Sequence, residues 1–272
     1  MMLIQVIGGA TVGYEEFTFP DGQRHVTLAA DVSWSDVVVT ASLCNADDLF
    51  DLLLVTDILH NNHNGVHLRV DYLLGARMDR RIDDRQPDTL AVVADIINAA
   101  NFKSVSILDP HSDAALDIIA GCELPRYPMA EMRDVLSEYE PAETLIVIPD
   151  KGAAKRVLAM TQGFGFAHVQ CYKVRDEQTG ALSGFAIANE AARVYSVTGK
   201  RCLIVDDICD GGGTFTGLAK ALREAGARSI DLFVTHGIFS KGRALQGIDK
   251  IYSTGSFRGR VHPKRPGVRT GP

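Results

Sequence analysis

Residues 203–222 read LIVDDICDGGGTFTGLAKAL: an apolar run, two adjacent aspartates, a third aspartate, three glycines, a threonine, and then a helical pattern. A strand that turns directly into a helix fits few folds other than an open α/β sheet. In such sheets ligands bind beyond the carboxyl ends of the strands. Glycines at that turn let backbone N–H groups approach an anion, and the helix N-terminus adds partial positive charge. Gly211, Gly212, Gly213 and Thr214 therefore form a candidate phosphate cradle. Carboxylates repel phosphate, so Asp206, Asp207 and Asp210 need a different purpose. They can accept hydrogen bonds from vicinal hydroxyls, as on a ribose, or hold a hydrated Mg2+. A sugar that carries a phosphate satisfies both halves. The plainer alternative is an N-cap aspartate with a loop chosen for its turn, but adjacent acids after an apolar strand cost desolvation without a ligand.

The rest of the chain repeats the strand–helix alternation. Strands are expected at 3–7, 25–30, 36–40, 66–73, 103–109, 143–149, 168–174, 200–207, 228–236 and 249–254. Helices are expected at 46–60, 88–100, 113–120, 130–138, 151–162 and 213–225, with Asp88 as an N-cap. This alternation predicts α/β architecture with mostly parallel sheets flanked by helices. YEPAET (139–144) reads as a boundary, dividing the chain into 1–141 and 142–272.

Net charge is -6, so no overall basic field invites nucleic acid. No apolar run approaches the roughly 20 residues of a membrane span. MMLIQVIGGA lacks a basic leader and reads as a first strand. Five scattered cysteines without a CxxC pair fit reduced thiols in a cytoplasm, with Cys202 and Cys209 as small packing residues. His60, His63 and His67 lie close in sequence, but their spacing fits no standard zinc site, and a helix end followed by an Asn-Gly turn is preferred. IGGATVG (7–13) lacks the spacing of a dinucleotide fingerprint. The basic end, SFRGRVHPKRPGVRTGP, reads as an irregular tail.

The loop at 206–214 resembles the PRPP-binding loop of phosphoribosyltransferases and of ribose-phosphate pyrophosphokinases (PRPP synthetases). Six further stretches resemble the synthetases, in order: FPDGQ (19–23), YLLGARMDRR (72–81), LDPHSD (108–113), VIPDKGAAKRV (147–157), YKVR (172–175) and THGIFS (235–240). The resemblance implies two phosphoribosyltransferase-like domains, the first on the ATP side and the second carrying the ribose-phosphate loop. It implies Mg2+-dependent transfer of the β,γ-diphosphoryl group of ATP to the C1 hydroxyl of ribose 5-phosphate, releasing AMP.

Residue by residue, the resemblance implies ATP contacts for Phe19, Asp21, Gln23, Arg77, Asp79, Arg80 and His111. Phe19, Asp21 and Gln23 would reach the adenine of a neighbouring subunit, so at least a homodimer is expected. Asp79 is expected to orient the two arginines; Met78 replaces a family glutamine, and with it a polar adenine contact. His111 and Asp150 correspond to metal-contacting positions, Asp150 also standing near the ribose. Lys173 and Arg175 share one side of an extended segment and are read as a clamp on the transferring phosphates. The polar stretch behind them, 175–185, suits a mobile lid.

Three alternatives stand beside this reading. A phosphoribosyltransferase would use the loop but not Arg77, His111, Lys173 and Arg175. A non-catalytic regulatory homologue would be favoured by loss of the Lys-x-Arg pair or the histidine, and both are present. The third alters the acceptor. The family loop usually reads Asp-Thr-Ala-Gly-Thr, whereas this one is stripped to glycine at 211–213. A roomier pocket that donates less to a full dianion suits a ribose 5-phosphate conjugate such as ADP-ribose.

Overall fold

The computed structural model describes residues 2–122, 124–175, 182–187 and 196–259. The first sheet is built from β1 (Met2–Val6), β2 (Thr11–Val12), β5 (Asp36–Ser42), β6 (Gly65–Tyr72) and β7 (Ser104–Ile107), in the order β2-β1-β5-β6-β7. β5, β6 and β7 run parallel, while β1 lies antiparallel to both of its neighbours. A separate hairpin, β3 (Tyr14–Thr18) and β4 (Arg24–Leu28), was only half expected, because β3 alternates too weakly to read as a strand. α1 (Ala46–Asn61) starts on a reciprocal cap: Asn45 Oδ1 accepts from the Asp48 N–H at 3.0 Å and Asp48 Oδ2 from the Asn45 N–H at 3.2 Å. α2 (Thr89–Ala99) is capped by Asp88, as expected, through the Ala91 N–H at 3.0 Å. α3 (Ala114–Ile118) is short.

The second sheet comprises β8 (Thr144–Ile148), β9 (Ala167–Arg175), β10 (Leu182–Ile187), β11 (Arg201–Cys209), β12 (Ser229–Gly237) and β13 (Lys250–Ser253), in the order β10-β9-β8-β11-β12-β13. β8 is buried throughout, as a continuous apolar run covered on both faces should be. α4 (Met129–Leu136) sends Met132, Val135 and Leu136 into this sheet's core alongside Ile146 and Phe233, although the sequence reading assigned it to the first half. α5 (Ala154–Thr161) begins later than expected, because Asp150 ends a turn by accepting the Ala153 N–H at 3.2 Å. α6 (Gly213–Glu224) follows the glycines directly.

Part of the stretch read as a lid is strand. β10 pairs antiparallel with β9, setting Phe185 opposite Lys173. Residues 176–181 lie outside the described residues, as do 260–272 of the basic tail. The histidines go to separate partners: His60 ends α1, His63 stacks on Trp34 at 4.4 Å, and His67 bonds Ser104 at 2.8 Å. Cys202 and Cys209 are core residues whose thiols burial pushes up to about 12. Among the described residues no helix is long and apolar enough to cross a membrane.

The two sheets meet through polar groups as well as apolar ones. Ser42 donates to the Ser256 carbonyl at 2.6 Å, and the Phe257 ring stands edge-on to Tyr72 at 4.9 Å. His236 on β12 bonds Ser256 Oγ at 2.8 Å and the Asp109 carbonyl at 3.2 Å.

Candidate active site

β11 runs two residues past its expected end at 207, so Asp206 and Asp207 lie inside the strand rather than at its tip. Successive strand side chains face opposite sides, yet one guanidinium reaches both carboxylates. Arg156, on α5, lies 3.1 Å from Asp207 and 3.6 Å from Asp206. The same guanidinium donates to Asp109 at 3.0 Å and to the carbonyls of Pro110 and His111, each at 2.9 Å. Arg156 is 8% exposed, Asp207 3% and Asp109 0%, so the group is a buried charge cluster spanning both sheets. Thr235 also donates to Asp109, whose backbone holds the left-handed conformation at φ +39.

His111 completes the crossing: its Nδ1 sits 2.7 Å from Asp207 Oδ2. Burial opposes the Asp207 charge, but the His111 hydrogen bond and Arg156 overcome it and hold the carboxyl at about 2. Asp206 is pushed the other way, well above the usual carboxylate range, by burial and by the neighbouring Asp207 charge. Asp207 is thus the more readily ionised of the pair, and a hydrogen-bond donor or a cation would favour the charged form of Asp206.

Beyond the pair, Asp210, Gly211, Gly212, Gly213 and Thr214 form the turn into α6. Gly212 stands at φ +76, and a Cβ there would come within 2.3 Å of the Leu245 side chain, so a substitution is strained and must displace Leu245. Arg77 reaches across from the first sheet to Asp210 at 3.1 Å. Asp210 is lowered by a hydrogen bond from Ser240 and then by Arg77. Asp79 makes no ion pair with Arg77 or Arg80 among the described residues, and Arg77 pairs with Asp210.

Lys173, on β9, pairs with Asp150 at 2.8 Å. Burial works against the Asp150 charge, and the Lys173 hydrogen bond lowers its pKa in spite of it. The Arg175 side chain lies outside the described residues. Arg77, His111, Asp150, Arg156, Lys173, both acids of the pair and the whole glycine turn line one cavity of about 510 Å3. A second cavity of about 420 Å3, sharing Arg77 and His111, is lined by Met78, Asp79, Arg80 and Gln86.

Phe19, Asp21 and Gln23 line neither cavity. They occupy the β3–β4 turn, where Asp21 accepts from the Gln23 N–H at 3.0 Å and its side-chain amide at 2.9 Å. Phe19 is 46% exposed, edge-on to Phe17 at 4.7 Å. Arg156, Asp109, Thr235 and His236 were missed as individual site residues, although all four fall inside the stretches VIPDKGAAKRV, LDPHSD and THGIFS. An aspartate closing an apolar strand and an arginine inside a helix were the available signals.

The donors present suit Mg2+ only in part. Among the described residues no group of three His, Cys, Asp or Glu side chains converges on a metal-sized site. Mg2+ is commonly held by one or two carboxylates together with substrate phosphates. Asp150, a carboxylate on the cavity wall, fits that role; His111 offers only Nε2, a softer donor, because Nδ1 is committed to Asp207.

A family model described as the N-terminal domain of ribose phosphate pyrophosphokinase matches residues 3–100, and a phosphoribosyl transferase domain model matches residues 132–257. A ribose-phosphate pyrophosphokinase of Marinomonas sp. (strain MWYL1) is 32% identical over 252 residues, covering 89% of this chain and 75% of that protein. That of Pasteurella multocida (strain Pm70) is 28% identical over 263 residues, 91% of this chain and 78% of that protein. In fold, a crystal structure of phosphoribosylpyrophosphate synthetase from Mycobacterium smegmatis aligns with a TM-score of 0.75 at 20% identity, over 93% of this chain and 85% of that one.

Proposed function

The chain belongs to the ribose-phosphate pyrophosphokinase family, and from that premise we propose that it transfers the β,γ-diphosphoryl group of ATP to the C1 hydroxyl of ribose 5-phosphate, forming PRPP and AMP. The observation that carries this reading is the single cavity in which the glycine turn, the Asp206–Asp207 pair and Lys173 meet Arg77 and His111 from the other sheet. The turn's amides at Gly211–Gly213 and Thr214 hold the 5-phosphate. Asp206 and Asp207 accept from the ribose hydroxyls, and the donor to Asp206 offsets the cost of ionising it. Arg77, Asp79, Arg80 and His111 face the nucleotide in the adjoining cavity.

The C1 hydroxyl oxygen attacks the β-phosphorus and its proton is released to solvent. The bond from that phosphorus to the α,β-bridging oxygen breaks, and AMP leaves with the electron pair. Lys173 moves from Asp150 to the transferring phosphates, with Arg175 beside it, and the carboxylate it leaves is available to Mg2+. Asp150 would hold Mg2+ together with the ATP phosphates, and the ion would supply charge neutralisation to the transferring group.

We assign two lobes and place the division ahead of α4, since that helix packs on the second sheet. Phe19, Asp21 and Gln23 are proposed to serve a neighbouring subunit, in at least a homodimer. Five free thiols suit a reducing cytoplasm.

A second reading keeps the chemistry and enlarges the acceptor to a conjugate such as ADP-ribose. It is favoured by a groove of about 340 Å3 that shares Gly213 with the main cavity and continues between Phe185, Gly217 and Lys220. Ribose 5-phosphate stays first. The test is AMP release with ATP, Mg2+ and each acceptor, with the product identified by mass. Ribose 5-phosphate turnover supports the first reading; turnover of ADP-ribose alone supports the second; absence of AMP with both removes the assignment.

A further inference from the structure

Every cation lining the main cavity is already paired: Arg77 with Asp210, Arg156 with Asp206 and Asp207, and Lys173 with Asp150. In the proposed reaction Lys173 is drawn to the transferring phosphates, at the C1 end of the acceptor. The glycine turn itself supplies amides but no charge, and one hydroxyl, that of Thr214. A phosphate dianion seated there would face Asp210 with no uncommitted cation among the residues that line the cavity.

The missing charge stands just outside that lining. Loop 238–245, between β12 and β13, folds over the turn: Leu245 packs against Gly212, and the Lys241 stem lies against Gly211. A Cβ on Gly211 would stand at 3.5 Å from Lys241 Cδ and Cε, an ordinary contact, so the stem runs directly alongside the turn. The side chain is exposed and forms no ion pair among the described residues. Its charge is near enough to act on Asp210 together with Arg77. An ammonium on a flexible four-carbon stem can follow a phosphate without a fixed fork geometry.

Resting on the diphosphoryl-transfer reading, we infer that Lys241 is the cationic contact for the phosphate end of the acceptor. The glycine turn and this lysine act together: the amides fix the phosphate oxygens, and Lys241 supplies the positive charge that the stripped turn lacks. The same contact serves a phosphate monoester or a phosphodiester, with a larger effect for the dianion.

The experiment measures steady-state AMP release for wild type, Lys241→Gln and Lys241→Arg, varying ribose 5-phosphate and ATP separately. A charged hydrogen bond lost at this point corresponds to a rise of about 10- to 100-fold in KM for ribose 5-phosphate. The expected result is that rise in Lys241→Gln, a KM for ATP that stays at the wild-type value, and recovery of most of the acceptor affinity in Lys241→Arg. With unphosphorylated ribose as acceptor, the wild type and Lys241→Gln should perform alike. An acceptor KM within twofold of wild type in Lys241→Gln overturns the assignment while leaving the reaction standing. A wild type that releases no AMP with any ribose phosphate overturns the reaction, and the assignment with it.

Discussion

Replacing Arg156 with methionine keeps the helix and the side-chain length but removes the one cation shared by three carboxylates. Asp109 and Asp207 are almost wholly buried, and the Asp206 side chain is 15% exposed. Breaking a buried pair by deleting one partner costs about 3–5 kcal/mol, because the remaining charge is left uncompensated. For proteins of this size each kcal/mol moves the melting temperature by about 2–4 °C, so Arg156→Met should melt roughly 6–20 °C below wild type. The deficit has a definite pH sign. Asp109 and Asp206 are already raised by burial, and without the guanidinium they lose the cation that lowers them, so stability is lost as pH rises through their folded-state values. The loss in melting temperature should therefore be larger at pH 8 than at pH 5. Arg156→Lys should fall between, since one ammonium cannot span Asp109, Asp207 and two carbonyls at once. Melting followed by circular dichroism at both pH values is the assay. A variant within 2 °C of wild type at pH 8, or a deficit that grows toward acid, would refute the reasoning.

Lys173→Ala, and Arg175→Ala with it, should lower kcat by about 100-fold or more with the melting temperature little changed; near-normal turnover removes them from the clamp. Gly212→Ala forces a side chain into a left-handed backbone and against Leu245, so a cost of about 1–3 kcal/mol and a weakened acceptor site are expected, whereas a Gly213→Ala Cβ enters open space and should melt near wild type. His236 is held below its ordinary value by burial, so its contribution is present above about pH 6.5 and lost as pH falls below that. Melting temperature should accordingly decline between pH 7 and 5, and His236→Asn should flatten part of that decline, His168, also lowered by burial, supplying the rest. An unchanged acid slope in His236→Asn would place the titration elsewhere.

The periodic elements were readable because each is locally specified. Asp88 caps α2, Asn45 and Asp48 close the start of α1, and the apolar run of β8 marks a strand covered on both faces. β3 and β10 were not readable, since each is held by one antiparallel neighbour and carries exposed positions that break the alternation. A boundary read at 139–144 leaves α4 in the first half, because an amphipathic helix between two sheets says nothing about which one it packs on; Met132 and Leu136 meet the second sheet's core only in three dimensions. In the site, glycines and paired acids advertise themselves by composition. Arg156 does not: it looks like a surface residue of a polar helix until the fold brings Asp109 from the other sheet to within 3.0 Å. Lys241 is similarly silent, its meaning depending on a loop that returns to the turn from nearly thirty residues downstream.

The central claim is tested most directly by following the phosphorus of ATP in a reaction with Mg2+ and ribose 5-phosphate by 31P NMR. Diphosphoryl transfer predicts AMP in equal amount to a new 1-diphosphate, with no ADP and no free phosphate in the initial phase. ADP together with a singly phosphorylated sugar, or ATP unchanged in the presence of ribose 5-phosphate, would contradict it.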